Sequence, residues 1–187
     1  MWDGAGVRRR LRELAADDPG FARFGADSHR YRLSAPLTEA EVAAFEGHHG
    51  VELPESYRGF LTDVGNGGAG PYYGLDALGV HDSRSEDEWR PGFLATPFPL
   101  TTAWNRAQHH PTDNDVPDDL YFDQRWIAGS LMLCHFGCGA FYRLVVTGPE
   151  RGRIWFDDRA SDSGISPAGC GFEEWYRRWL DDLVSGG

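Results

Sequence analysis

The chain has 187 residues and a formal net charge of −11, and all 18 of its basic residues are arginine. The absence of lysine excludes a Walker A phosphate loop, a Schiff base and a lysine general base. The acidic balance argues against direct nucleic-acid binding and favours a basic protein partner, although a need for solubility would explain the same charge.

The N-terminal 36 residues are predicted to be a helical extension. Val7, Leu11 and Leu14 recur on one face of a helix over residues 5–18. The remainder, up to residue 36, is punctuated by proline and glycine and reads as irregular.

Two further helices are predicted within residues 38–64. Thr38 is a good N-cap, and Glu41 stands where it completes a capping box. Pro54 opens the second helix, where its missing N–H costs nothing. The buried face of this helix is formed by four residues at helical spacing, Tyr57, Phe60, Leu61 and Val64.

The glycine-rich loop Gly65–Pro71 follows. A glycine loop can hold a phosphate, but this one follows a helix and contains no lysine. We expect Gly65 to end the helix in the left-handed conformation, and the loop to lead into a strand around residues 72–75.

Residues 81–125 are predicted to be an insertion, charged over 81–91 and anchored further on by Trp104, Tyr121, Phe122 and Trp126. Its potential metal ligands are four neighbouring side chains, His109, His110, Asp113 and Asp115. The spacing lacks the glycine and glutamate of an EF-hand and the usual i,i+4 histidines of zinc sites. A solvated acidic loop is the better interpretation, and we expect neither metal nor cofactor.

The C-terminal third predicts a meander of three antiparallel strands over residues 131–134, 141–146 and 153–157. A strongly amphipathic helix follows over about 171–184. Its apolar stripe consists of Phe172, Trp175, Tyr176, Trp179, Leu180 and Leu183. These elements indicate a single α+β domain, with a mostly antiparallel sheet packed against N- and C-terminal helices.

No catalytic constellation assembles from the sequence. Cys134 and His135 are neighbours on a strand and point to opposite faces, and the same holds for Asp157 and Asp158. Cys138 lies in the predicted turn between the strands. The three cysteines match neither a zinc nor a redox spacing, so we expect free thiols in the cytoplasm, with no membrane span.

Several short motifs occur in a fixed order and together resemble the SUKH superfamily, which contains bacterial immunity proteins and fungal cell-wall regulators of the Smi/Knr type. The matching residues are Leu53, Pro54, Tyr57, Phe60, Leu61, Asn66, Gly67, Gly68, Gly139, Trp155, Phe172 and Trp175. The resemblance implies a SUKH-like domain over residues 37–187. It also implies a binding role, as an immunity protein that neutralises a toxin or as a regulatory hub.

The expected activity is therefore non-catalytic binding of a basic protein partner, such as a toxin domain, whose active site the protein would occlude. Tyrosine and tryptophan are enriched at interface hot spots. The candidate partner-binding residues are Tyr72, Tyr73, Trp104, Trp155, Asp157 and Asp158, for which ordinary core packing is the other interpretation. We expect some of them to line a concave surface with an acidic rim, on a sheet face left uncovered by helices. An enzyme or enzyme accessory that uses residues 104–138, or a small-ligand sensor, remains the alternative.

Overall fold

The computed structural model describes residues 1–79, 90–106 and 117–184. Its helices are α1 (Gly4–Asp17), α2 (Ala26–His29), α3 (Glu39–His49), α4 (Glu55–Asp63), α5 (Asp118–Tyr121) and α6 (Phe172–Val184). Its strands are β1 (Ser130–Gly137), β2 (Ala140–Val145), β3 (Arg153–Asp158) and β4 (Gly164–Gly171). Across these ranges, no helix has the length and apolar character needed to cross a membrane.

The four strands form one antiparallel sheet in the order β1-β2-β3-β4, which confirms the α+β class and the predicted meander. The fourth strand was not predicted. Three glycines and Pro167 interrupt its pattern, and such residues are tolerated mainly at a sheet edge. β4 lies at that edge and continues directly into α6.

The helix starts follow the sequence signals closely. Thr38 accepts a hydrogen bond from the backbone N–H of Glu41, and the Glu41 carboxylate accepts from the backbone N–H of Thr38 at 2.7 Å, so the predicted capping box is confirmed. Pro54 takes the N-cap position of α4, one residue earlier than the first helical position.

The loop after α4 differs from the prediction. Residues 72–75 form turns instead of a strand, with only a bridge between Leu75 and Gly68. The positive φ angles in this loop begin at Gly67 and not at Gly65. Asn66 fixes the loop, since its side-chain amide exchanges two hydrogen bonds with the backbone of Leu78. The N–H groups of Gly65, Asn66, Gly68 and Ala69 donate to backbone carbonyls of this chain, which leaves these four unsuited to hold a phosphate.

One face of the sheet packs against α1, α4 and α6 to form the larger core. Trp2 lies at its centre, with its ring 5.3 Å from Phe60, 6.1 Å from Phe172 and 5.8 Å from Tyr176. The predicted stripe of α6 faces this core, as expected. The N-terminal extension therefore contributes directly to the interior.

The other face of the sheet is covered by the chain over residues 93–106 and 117–127. Trp104 and Tyr121 are buried there, and Trp126 is half-buried and stacks on Trp104, so these predicted anchors are confirmed. Phe122 is not an anchor, because 44% of its side chain is exposed. Neither face of the sheet is left entirely bare within the described ranges.

Candidate functional site

An open groove of about 660 Å³ lies between α6, strands β2 to β4 and two loops of the N-terminal half. We call it the aromatic groove. Its lining consists of Arg23, Phe24, Pro71, Tyr72, Tyr142, Phe156, Ser166, Pro167, Ala168, Cys170, Trp175, Arg178, Trp179, Asp182 and Leu183. The groove therefore occupies the part of the helix-side face of the sheet that α6 does not fill.

The floor of the groove is a set of aromatic rings in contact. Tyr142 of β2 lies 4.7 Å from Phe156 of β3 and 5.4 Å from Trp175 of α6, measured between ring centroids. Tyr72 stacks on Tyr142 at 5.0 Å with an interplanar angle of 5°, and the two hydroxyls are 3.0 Å apart. Burial, followed by this hydrogen bond, raises the pKa of the Tyr142 hydroxyl.

Three exposed aromatic side chains extend the floor to the surface. Phe24, Tyr73 and Phe136 are 64%, 40% and 37% exposed, and we call them the aromatic patch. The Phe24 ring lies 5.3 Å from Tyr73, and the Phe136 ring lies 4.7 Å from Tyr72. A contiguous apolar surface of this kind often marks an interaction site on a protein.

Two loops are locked together to form the outer wall of the groove. Tyr72 adopts a left-handed backbone with φ of 55°. A Cβ atom at Gly25 would lie 1.8 Å from the carbonyl oxygen of Tyr72, and Gly25 itself has φ of 76°, so only glycine fits there. This contact fixes the backbone that carries Phe24 and Tyr72.

The same wall contains further strained backbone. Phe21, Arg30 and Tyr31 all have φ between 50° and 56°. Asp18 holds the segment in place, because its carboxylate accepts hydrogen bonds from the Tyr31 hydroxyl at 2.7 Å and from the Ala22 backbone N–H at 2.8 Å. Such strain persists only where the surroundings over-determine it, and it is concentrated at functional sites.

The six predicted partner-binding residues do not lie together. Tyr72 lines the aromatic groove, and Tyr73 belongs to the patch. Trp104 and Trp155, by contrast, are 4% and 0% exposed and belong to the core on the opposite face of the sheet. Their aromatic side chains serve packing, since both are buried members of this core.

The two adjacent carboxylates point in different directions, as predicted for neighbours on a strand. Asp157 is buried and pairs with Arg159, with two N–H to carboxylate distances of 2.8 Å. The Arg159 guanidinium also donates to the carbonyls of Tyr121 and Asp123. Asp157 is therefore part of an internal clamp and not of a binding surface, whereas Asp158 is half-buried.

Aromatic and acidic surfaces are separate, which corrects the expectation of one aromatic cleft with an acidic rim. The aromatic groove is lined by two arginines, Arg23 and Arg178, and one acid, Asp182. A second groove of about 530 Å³ lies at the start of α4, and its charged lining is mainly acidic. Its charged lining consists of Glu39, Glu55, Asp63, Glu173 and Arg58.

The nucleophile candidates are not arranged as a dyad. Cys134 is fully buried, and this burial raises the pKa of its thiol. His135 stacks on Tyr73 at 5.7 Å, and Cys138 is exposed at the β1–β2 turn. The segment from His109 to Asp115 lies outside the described residues, and the described ones contain no group of three potential metal ligands.

Four members of the aromatic cluster were not anticipated, namely Phe24, Phe136, Tyr142 and Phe156. Tyr142 and Phe156 face each other across β2 and β3. Alternation on those strands places Tyr142 on the same face as Leu144, which was a usable signal. No local signal indicated that α6 would leave these rings uncovered.

These features define a small α+β module, and its most distinctive surface is the aromatic groove on the part of the sheet that α6 does not cover. The family model described as SMI1 / KNR4 family (SUKH-1) matches residues 36–178, and the chain belongs to this family. Neither a curated protein nor a solved structure matches the chain. Residues 1–35, which supply Phe24 and one of the two loops of the outer wall, precede the matched region.

The family motif residues have structural roles. Leu53, Tyr57, Phe60 and Leu61 are buried in the larger core. Phe172 and Trp175 join them from α6, and Trp155 fills the core on the other face of the sheet. Gly139 adopts φ of 81° beside the β1–β2 turn. Family membership thus accounts for the framework, while the loop that carries Phe24 lies outside the region matched by the family model.

Proposed function

We propose that this protein is a non-catalytic binding module of the immunity or regulatory type. It binds a protein partner, such as a toxin domain, through the aromatic groove and patch, and it occludes the partner's functional surface. The observation that carries the proposal is the continuous aromatic surface from the half-buried Tyr142 ring out to Phe24, Tyr73 and Phe136. Family membership fits this role.

The composition and rigidity of the surface support binding. Tyrosine and tryptophan are typical hot-spot residues, and they contribute most when they lie in a packed centre surrounded by a rim. The rings are already in contact with one another, and the wall is fixed by the Gly25–Tyr72 contact. A surface ordered in advance loses little conformational entropy when a partner binds.

The charge of the chain supports a basic partner. A net charge of −11 attracts a cationic protein over long range and accelerates its approach, without requiring carboxylates inside the groove. The acidic groove beside α4 adds to this field. Association should therefore slow as salt rises, while dissociation from the aromatic surface should change little.

A small-ligand sensor is the second candidate. The observation that favours it is the volume of the aromatic groove, about 660 Å³, which is within the usual range of ligand pockets. A thermal-shift screen against a metabolite collection tests this candidate directly.

The principal test is affinity capture from a lysate of the native host at low and moderate salt, with bound proteins identified by mass spectrometry. The wild type is compared with Phe136→Ser in the patch and with Phe122→Ser as a matched control. Phe122 is exposed to a similar extent but lies on the segment that covers the other face of the sheet.

We expect a stoichiometric basic partner that the wild type and Phe122→Ser retain at low salt and that Phe136→Ser loses. A partner retained equally by all three variants would contradict binding at the aromatic surface. An affinity indifferent to salt would contradict the electrostatic part of the proposal.

A further inference from the structure

We propose that the aromatic groove recognises a proline-containing segment of the partner in the polyproline II conformation. This inference rests on the proposed function and names the chemistry of the segment that enters the groove. The first observation is the spacing of the rings. Phe156, Tyr142 and Trp175 follow one another at 4.7 and 5.4 Å between centroids, and Tyr72 stacks beside them. Grooves lined with aromatic rings are the common receptors of this stiff, extended helix.

The second observation is the balance of hydrogen-bonding groups. One hydroxyl of the Tyr72–Tyr142 pair must donate to the other, which leaves one hydroxyl hydrogen able to donate elsewhere. The Trp175 indole, a donor only, has no hydrogen bond to another part of the described chain. A polyproline II segment offers solvated carbonyl acceptors and, at each proline, no N–H. The groove therefore supplies donors to a ligand that supplies acceptors.

The third observation is the near-neutral rim. Arg178 is paired with Glu174 on α6. Arg23 lies beside Asp18 and contributes to the lowered pKa of that carboxylate, after larger contributions from hydrogen bonds. Arg178 is paired, and Asp182 lines the same rim as Arg23, so charges of both signs are present and the rim suits an uncharged segment better than a strongly acidic one.

Strand addition is the competing mode of peptide recognition, and β4 is poorly suited to it. Ile165 already exchanges two backbone hydrogen bonds of 2.8 Å with Trp104 at the edge of the sheet. Pro167, next along this edge, has no N–H to donate. Recognition by side-chain rings, without ladder formation, is the mode that remains for an extended peptide.

The test titrates the protein with a degenerate peptide mixture of the form x-Pro-x-x-Pro-x, and with the same mixture in which alanine replaces proline. Binding is followed by tryptophan fluorescence and by the indole N–H signals in NMR spectra. The variants are Tyr72→Asn, which removes a ring at a left-handed position that asparagine tolerates, Tyr142→Phe, which removes only a hydroxyl, and Phe122→Ser as the control. Circular dichroism verifies that each variant is folded.

We expect saturable binding of the proline mixture by the wild type, with the Trp175 indole signal shifted. Tyr72→Asn should weaken binding about tenfold or more, Tyr142→Phe should weaken it less, and Phe122→Ser should not change it. The alanine mixture should not saturate. Binding of the proline mixture that Tyr72→Asn leaves unchanged would overturn the assignment to this groove.

Failure of this inference is distinguishable from failure of the proposed function. If the proline mixture does not bind while Phe136→Ser still loses the captured partner, the groove binds a partner by another chemistry and only this inference is overturned. If the mixture does not bind and the patch variant retains the partner, both proposals are overturned.

Discussion

Replacing Arg159 with methionine should destabilise the protein severely, because this residue is the clamp between the sheet and the segment that covers it. Arg159 and Asp157 are each 5% exposed. The guanidinium makes two hydrogen bonds of 2.8 Å to Asp157 and donates to the carbonyls of Tyr121 and Asp123 at 3.1 and 3.3 Å. Methionine fills a similar volume but satisfies none of these acceptors.

The size of the stability loss follows from the buried Asp157 carboxylate that Arg159→Met leaves without a partner. Breaking a buried ion pair by removing one partner typically costs about 3–5 kcal/mol, because the remaining charge is buried without compensation. A domain of this size has a total stability of roughly 5–15 kcal/mol. The variant should therefore lose a large share of its free energy of unfolding.

Urea unfolding, followed by tryptophan fluorescence and far-UV circular dichroism, measures the effect. The matched control is Arg125→Met, because Arg125 is 62% exposed and pairs with Asp123 on the surface, where such a pair contributes roughly 0–1 kcal/mol. The double variant Asp157→Leu/Arg159→Met should be more stable than the single one, since it leaves no orphaned carboxylate. A loss below about 1 kcal/mol for Arg159→Met would refute the clamp as described.

Three further predictions concern a helix cap, a buried histidine and the cysteines. Thr38→Ala should lower the free energy of unfolding by about 1 kcal/mol because it removes the capping box of α3, and Thr38→Ser should not; chemical denaturation measures both. Burial lowers the pKa of His29 to about 4 from its ordinary value of 6.5. The folded state therefore favours the neutral imidazole, and the stability that this side chain contributes is complete above about pH 6.5 and is lost as pH falls towards 4. Unfolding at a series of pH values should show a loss of at most about 1.4 kcal/mol per pH unit in this window, and a slope that is the same in His29→Gln would contradict it. In the folded protein an alkylating reagent should modify the exposed Cys138 and spare the buried Cys134, as peptide mass spectrometry will show; rapid labelling of both thiols would be inconsistent with the packing.

Local sequence signals were sufficient to predict those elements whose structure depends on residues that are neighbours along the chain. The Thr38–Glu41 box, the stripe of α6 and the meander each follow from short-range chemistry and periodicity, and each is present. Strand β4 was not predicted, because its place in the sheet depends on its edge position and on pairing with β3. Its glycine-rich sequence pattern indicates neither of these.

The candidate site was predicted only in part, because its members meet through long-range packing. Tyr72 and Tyr142 are 70 residues apart in sequence, and nothing local indicates that they stack. Trp155 looked like a candidate contact because the covering role of residues 93–106 and 117–127 is a tertiary property. Aromatic type alone cannot distinguish a ring that packs from a ring that binds, since both uses favour the same side chains.

The Gly25–Tyr72 contact has a consequence for how selectivity could change in this protein. The backbone that carries Phe24 precedes the region matched by the family model, and it approaches the Tyr72 backbone most closely at Gly25, beside the ring contacts of Phe24 with Tyr72 and Tyr73. The exposed side chain of Phe24 can thus vary without altering the sheet or α6, provided that residue 25 remains glycine, whereas Phe21 packs against the larger core. Replacing Phe24 would change one side of the proposed binding groove, and with it the selectivity, while the family framework stayed the same.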